Sequence, residues 1–373
     1  MTLTVLFAGG GSGGHVFPLI AVAEAVRRRD PAAKAVFVGT ARGMEATILP
    51  ARGERLELLD ASPIKGVGLL GALKGASKAA TSIPAARALV KRIAPDVVLT
   101  IGGYAAGAVS LAASTLGIPV ALLEPNSVLG LANRLMTPMV KRAYVVFPEA
   151  EKRFRPSVAR RFGLPIRPGF SPAPYVASGS AKILVLGGSQ GAQALNEAVP
   201  AALAIAKKAI PALTVVHQAG RGKDAEVRAR YESLGLADSA DVRAFLDDVP
   251  QQLGACDLVV ARAGAGAICE IAAVGRAALF VPFPHAADDH QRKNAEALAA
   301  AGAAVCVAQP DASPERLARE IESLFSNPSR RVSIAEAARA RGVPDAADRI
   351  AEDLESLVRA PSAARASTLA EGF

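Results

Sequence analysis

The 373-residue chain has no tryptophan, 4% aromatic residues, three cysteines and four histidines, and each scarcity excludes something. With so few rings there is no stacking platform for bases. No zinc-finger, RNA-recognition or dense arginine segment takes its place, so a nucleic-acid partner is not expected. Cys256, Cys269 and Cys306 form no CxxC pair and no even set. That argues against a disulfide framework or structural zinc and for small buried residues of a reducing compartment. His285 and His290 stand five apart around Asp288 and Asp289, an offset that does not put both imidazoles on one helical face, so no metal site is expected. The N-terminus lacks a basic region ahead of its apolar run, and glycines interrupt that run at once, so no secretory signal is expected.

Charge is missing altogether from residues 97–123, a stretch long enough to raise the question of a membrane span. Its punctuation argues otherwise. VVLTI reads as a buried strand, GGYAAG as a turn, AVSLAASTLG as a helix of small residues and IPVALL as the next strand, with Gly102, Gly103, Gly117 and Pro119 between them. The chain is expected to be soluble or peripheral.

What is present is the same construction twice: an apolar strand running into a glycine-rich turn, TLTVLFAGGGSGGHVFP at 2–18 and KILVLGGSQGAQALN at 182–196. Glycine lets backbone approach a phosphate, and the first turn of a helix adds unpaired N–H donors and a partial positive charge. Gly9, Gly11 and Gly14 satisfy GxGxxG, yet the second strand, AVFVGT, ends in Gly39 and Thr40 with no acid to hold a ribose, so a nicotinamide or flavin cofactor is not expected. Neither turn carries the lysine of a triphosphatase loop.

With 51% hydrophobic residues the chain can bury two ordinary cores, which agrees with a length prior of about 150 residues per domain. Strands at 3–8, 35–39, 96–101, 119–123 and 143–147, with a helix at 16–29, predict a doubly wound parallel α/β sheet. The proline-rich GLPIRPGFSPAPY at 163–175 reads as a linker. Strands then restart at 182–187, 213–217, 242–245, 257–260 and 277–281, with a helix at 192–208. A last helix at 346–359 has no strand after it, and the tail beyond Pro361 reads as disordered.

Charge divides unevenly between these halves. Residues 1–165 hold 21 Lys or Arg against 10 Asp or Glu, a net +11, whereas the remainder holds 22 against 24, a net −2. The first half is therefore the side for an anionic partner. Within it, residues 64–78 set Leu69, Leu70 and Leu73 among Lys65, Lys74 and Lys78. That pattern suits an anionic membrane surface, or else a solvated loop over a small core. In the second half, DLVVARAGAGAICEIAAVG at 257–275 predicts a strand, a small-residue loop and a helix with Glu270 in its first turn. Such a carboxylate can grip ribose hydroxyls or simply stabilise the helix dipole. The following VPFPHAADDHQRKNA at 281–295 offers His290, Gln291 and Asn294 to polar hydroxyls.

Taken in order, GGSGGH at 10–15, GGYAAG at 102–107, EPNSVLGLAN at 124–133, LPIR at 164–167, GGSQGA at 187–192, RAGAGAICE and DDHQRKNA resemble the MurG family of glycosyltransferases of bacterial cell-wall synthesis. The resemblance runs nearly end to end. It implies the GT-B architecture, two Rossmann-like domains facing across a cleft: an acceptor- and membrane-binding domain at 1–165 and a UDP-GlcNAc-binding domain at 166–343. It also implies a final helix at 344–360 that crosses back to the first domain. The implied reaction is an inverting, metal-independent transfer of GlcNAc from UDP-GlcNAc to the C4 hydroxyl of the muramyl unit of lipid I, giving lipid II and UDP with no cofactor. The implied location is the cytoplasmic face of the plasma membrane, against anionic phospholipid, with other cell-wall synthesis proteins as further partners. A UDP-GlcNAc 2-epimerase or a non-catalytic nucleotide-sugar binder shares the architecture and remains the alternative.

By the same resemblance His15 is the residue that assists acceptor deprotonation or binds phosphate, and an ordinary imidazole suits a base at neutral pH. Its bland alternative is a structural hydrogen bond at a helix start. Ser12, Gly13 and Gly14 stand in the first donor loop, with Gly10, Gly11, Gly102, Gly103 and Tyr104 in the acceptor and diphosphate loops. Ser12 replaces the usual threonine. Asn126 matches a residue near the donor sugar, with Pro125 where glutamine is usual. Arg167 and Ser189 match diphosphate-facing positions, the Leu246 backbone meets uracil, Glu270 binds ribose and Gln291 reads the sugar hydroxyls. Ala267 stands where the family has threonine, which leaves one diphosphate contact to backbone.

Overall fold

A computed structural model describes residues 2–60, 82–176, 180–188 and 190–359, with Tyr104 described by its backbone alone. The lysine-ringed leucines at 64–78, Ser189 and the tail at 361–373 lie outside these residues. The chain divides into two compact units, one of residues up to Arg167 together with the segment from Asp345, the other Pro168–Pro344.

Unit one is built from β1 (Thr4–Gly9), α1 (Gly13–Arg29), β2 (Lys34–Gly39), α2 (Glu45–Ala51), β3 (Leu56–Leu58), a helix α3 over 82–93, β4 (Val97–Gly102), α4 (Tyr104–Thr115), β5 (Val120–Glu124), α5 (Leu131–Met136), β6 (Arg142–Val145), α6 (Pro148–Glu151) and β7 (Ala159–Arg160). Among the described residues these strands form a parallel sheet in the order β3-β2-β1-β4-β5-β6-β7. The register sets Phe7 beside Phe37 and Val5 beside Val97. Continuous apolar runs such as VLFA and VVLTI form central strands because helices on both faces leave them no wet side. The uncharged 97–123 stretch resolves into β4, α4 and the start of β5. Among the described residues no helix is long and apolar enough to cross a membrane.

The last helix, α14 (Ala346–Arg359), packs on α1. Its apolar face buries Ile350, Ala351 and Leu354. Its acids meet basic residues of unit one: Asp348 pairs with Arg28 at 2.7 Å and Glu355 with Arg29 at 2.9 Å. Asp353 accepts from Arg142 Nε at 3.0 Å and from the Tyr144 hydroxyl at 2.9 Å.

Unit two contains β8 (Ala181–Leu186), α7 (Gln193–Ala206), β9 (Leu213–Gln218), α8 (Asp224–Ser233), β10 (Ala240–Arg243), α9 (Val249–Ala255), β11 (Leu258–Ala261), α10 (Ala265–Val274), β12 (Ala278–Phe280), α11 (His290–Ala300), β13 (Val305–Cys306), α12 (Pro314–Ser326) and α13 (Pro328–Arg339). Its parallel sheet runs β10-β9-β8-β11-β12-β13. The proline-rich segment is tied down rather than loose. Ala173 N donates to Val274 O, the buried Arg276 donates to the carbonyls of Ala173 and Pro174, and Tyr175 bridges Asp257 O and Arg331.

Candidate active site

In each sheet the strand order reverses beside the first strand, between β1 and β4 and again between β8 and β11. Connections leaving the C-terminal ends of such strands diverge and leave a crevice, which is where open α/β sheets hold ligands. The glycine-rich loops occupy these positions.

In unit one the loop after β1 turns at Gly11 (φ +95°), a left-handed conformation that favours glycine. Helix α1 begins at Gly13 rather than at the expected residue 16, so Gly13, Gly14 and His15 form its first turn and the exposed Ser12 is its N-cap residue. The Ser12 hydroxyl makes no capping bond. His15 Nδ1 lies 3.0 Å from the Gly10 carbonyl. A carbonyl can only accept, so Nδ1 carries the proton and Nε2 is the basic nitrogen of the neutral ring.

Behind this loop lies a residue that sequence reading passed over. Glu45, 1% exposed, accepts from Gly11 N at 2.7 Å, Thr40 N at 2.9 Å and Thr40 Oγ1 at 3.1 Å. A Cβ on Gly10, Gly39 or Gly43 would collide with its side chain. The acid missing from the end of the second strand is thus supplied five residues later, and it faces backbone N–H groups instead of a ribose.

The adjoining loop passes through Gly102 (φ +95°) and Gly103 (φ +99°) into α4, whose first residue is Tyr104. Next to it Glu124 ends β5. Its Oε1 accepts from Asn126 N at 3.0 Å and Asn126 Nδ2 at 3.3 Å, and its Oε2 accepts from Asn133 Nδ2 at 2.7 Å. Burial pushes the Glu124 carboxyl up to about 7, against the opposing pull of the Asn133 and Asn126 donors. The Asn133 Oδ1 is buried without a hydrogen-bond partner and crowds the place a Gly102 Cβ would take. Asn126, expected near the donor sugar, is therefore engaged with Glu124 in unit one.

In unit two the glycine loop runs from Gly187 to Gly191. Gly191 (φ +68°) is pressed against the Ala219 carbonyl so closely that a Cβ would collide with backbone. That carbonyl accepts from Asn196 Nδ2 at 2.9 Å, and Asn196 Oδ1 meets His217 Nε2 at 3.1 Å. His217 Nδ1 lies 2.9 Å from the Tyr231 hydroxyl. Burial lowers the His217 imidazole to about 3, so this network is neutral.

Helix α10 begins at Ala265, which puts Ala267 in its first turn and Glu270 in the second, one turn further in than expected. The difference weakens the dipole explanation for Glu270, because that effect fades beyond the first turn. Glu270 is half-buried and Leu246 is 1% exposed. Gln291 Oε1 accepts from Phe283 N at 3.1 Å, which fixes the side-chain amide at the start of α11. Asn294, expected to meet hydroxyls, is fully buried with Nδ2 3.5 Å from Ala263 O, and the His290 Nδ1 lies 2.6 Å from Ala287 O. Arg262 was also unforeseen. It braces the β12–α11 connection by donating to Val281 O at 2.9 Å and Pro282 O at 3.1 Å, and it stacks over Phe283. Arg167 is exposed and is the last residue of the first segment of unit one. Among the described residues no group of His, Cys, Asp and Glu could hold a metal ion.

Two parallel doubly wound domains with glycine loops at both switch points define the class: a GT-B-type glycosyltransferase. Residues 5–145 match the glycosyltransferase family 28 N-terminal domain and residues 182–350 the family 28 C-terminal domain. The chain belongs to glycosyltransferase family 28. It is 54% identical over 362 residues to a Sorangium cellulosum UDP-N-acetylglucosamine–N-acetylmuramyl-(pentapeptide) pyrophosphoryl-undecaprenol N-acetylglucosamine transferase, covering 96% of this chain and 89% of the relative. The enzyme of the same name from Anaeromyxobacter dehalogenans strain 2CP-C is 43% identical over 360 residues, covering 96% and 94%. The crystal structure of Acinetobacter baumannii MurG superimposes with a TM-score of 0.79 at 30% identity over 95% of this chain and 99% of that one. A Neisseria meningitidis UDP-GlcNAc 2-epimerase bound to UDP-GlcNAc reaches 0.66 at 15% identity over 95% and 100%, a likeness of fold alone.

Proposed function

We propose that this enzyme transfers GlcNAc from UDP-GlcNAc to the C4 hydroxyl of the muramyl unit of lipid I, with inversion at the sugar C1, giving lipid II and UDP. The observation that carries this reading is the 54% identity, over 96% of the chain, to a transferase named for that reaction. An epimerase is not favoured, since the epimerase likeness stands at 15% identity.

The chemistry assigns each half a task. Unit one presents His15 with Nδ1 donating to Gly10 O, so its Nε2 takes the proton of the acceptor hydroxyl as that oxygen forms its bond to C1. The bond from C1 to the diphosphate breaks and UDP leaves with the electron pair. The imidazolium then returns its proton to water. Unit two carries the donor: Glu270 holds the ribose, the Leu246 backbone the uracil, and Gln291 the sugar hydroxyls. N–H groups of the glycine loop and helix starts of unit two, with Arg167 and Ser189, oppose the charge growing on the diphosphate. No metal or cofactor is required in this scheme. The +11 half docks the enzyme on anionic phospholipid at the cytoplasmic face of the plasma membrane, where lipid I resides.

The test is incubation with UDP-GlcNAc and a lipid I analogue. β-Linked disaccharide and UDP in equal amounts are expected; free GlcNAc, ManNAc or no product would contradict the assignment.

A further inference from the structure

Glu45 and His15 hold opposite sides of one peptide group. The Gly10 carbonyl and the Gly11 N–H belong to the same amide plane; the carbonyl meets His15 Nδ1 at 3.0 Å and the N–H is held by Glu45 Oε2 at 2.7 Å. A carboxylate drawing on the N–H polarises the amide and makes its oxygen a stronger acceptor, since hydrogen bonds in a chain reinforce one another. A stronger acceptor at Nδ1 fixes that tautomer and raises the basicity of Nε2, as a carboxylate bonded directly to a histidine does.

We propose that Glu45 is a positioning residue that acts on His15 through the Gly10–Gly11 peptide, setting its tautomer and its strength as a base.

The surroundings are built for this contact. Gly10, Gly39 and Gly43 each leave the space the carboxylate fills, and Thr40 holds its other oxygen through both N–H and hydroxyl. Of the elements against the loop, α2 contributes the charge of Glu45, and the β4–α4 connection contributes glycine backbone at Gly103, beside Gly10. The Gly11 N–H is thereby withdrawn from anion binding, a use of the loop that a phosphate-gripping role alone does not explain.

The inference rests on the reading of His15 as the base, and its test separates the two. Nitrogen NMR of the full-length protein, with His15→Ala to assign its signal among the four histidines, should show neutral His15 predominantly as the Nδ1–H form. Predominance of Nε2–H would overturn the proposal without any Glu45 variant. In Glu45→Gln, which keeps the shape, the titration midpoint of His15 and the acid limb of kcat should fall by about half a pH unit or more. Turnover should drop about 10-fold or more while UDP affinity holds. Glu45→Asp, which keeps the charge, should lie between. In a His15→Ala background Glu45→Gln should cost no more than about twofold further. An unchanged His15 tautomer and midpoint in Glu45→Gln would overturn the relay even if His15→Ala abolishes turnover. Conversely, a lowered midpoint in Glu45→Gln with near-normal turnover in His15→Ala would retire the base and leave the relay standing.

Discussion

The two glycine-rich loops share a position at the head of a parallel sheet and differ in what lies behind them. Under the loop of unit one sits a buried carboxylate, Glu45, gripping the backbone at Gly11 and Thr40. The loop of unit two rests on a neutral chain from Tyr231 through His217 and Asn196 to the Ala219 carbonyl. The difference fits the tasks assigned to them. A negative charge beside a diphosphate would repel it, whereas beside a catalytic imidazole it makes a better base. Each loop is therefore read less by its glycines than by its support.

The sharpest way to break this comparison is steric. A methyl at Gly191 meets the Ala219 backbone and requires a left-handed φ, so Gly191→Ala should destabilise unit two by about 3 kcal/mol or more in denaturant titration. The atoms nearest a methyl at Gly10 belong to the Glu45 side chain rather than to backbone, so Gly10→Ala should cost less stability than Gly191→Ala while displacing Glu45 and removing most of the turnover. Equal stability losses would show that the two supports do not differ in rigidity.

The second contrast is in pH. His217 lies at about 3 in the fold against an ordinary 6.5, so its contribution to stability is intact above 6.5 and is lost as pH falls toward 3. Glu124 lies at about 7 against an ordinary 4.5, so its contribution is intact below 4.5 and is lost as pH rises through 7. In calorimetry, the Tm of Glu124→Gln relative to the parent should therefore rise between pH 5 and pH 8. A constant difference would mean that Glu124 is ionised throughout.

A smaller effect tests the charge division. Neutralising Lys65, Lys74 and Lys78 should weaken binding to anionic vesicles by about 1 kcal/mol per residue at low salt, with no change in turnover on a short-chain soluble acceptor. Unchanged vesicle binding would place the docking face elsewhere.

Much of this was legible in the sequence. The apolar runs predict the central strands of both sheets, and the motifs place His15 and Gln291 at the starts of their helices, with Glu270 one turn deeper in its helix than expected. The strands that escaped notice, β3, β7 and β13, are three, two and two residues long, too short to show a period. Helix α1 begins three residues before the expected residue 16, and α10 begins far enough ahead of Glu270 to put it in the second turn, because the glycines at 13, 14 and 266 read as loop. Glu45 and Glu124 escaped for another reason. Glu45 reaches Gly11 across 34 residues, whereas Glu124 meets Asn126 and Asn133 only two and nine residues on; in neither case does the residue type itself mark the acid as buried. Asn294 erred the opposite way, since a polar residue beside a binding motif can face inward.

The central claim is that the loop of unit one serves the acceptor chemistry and that of unit two the nucleotide. Side-by-side calorimetry with UDP and turnover with saturating acceptor, on His15→Ala and Glu270→Ala, tests it most directly. His15→Ala should lose about 10²- to 10⁴-fold in kcat with UDP affinity unchanged, and Glu270→Ala should bind UDP about 1.5 to 3 kcal/mol more weakly. UDP affinity lost equally in both variants, or kept in Glu270→Ala, would contradict the account.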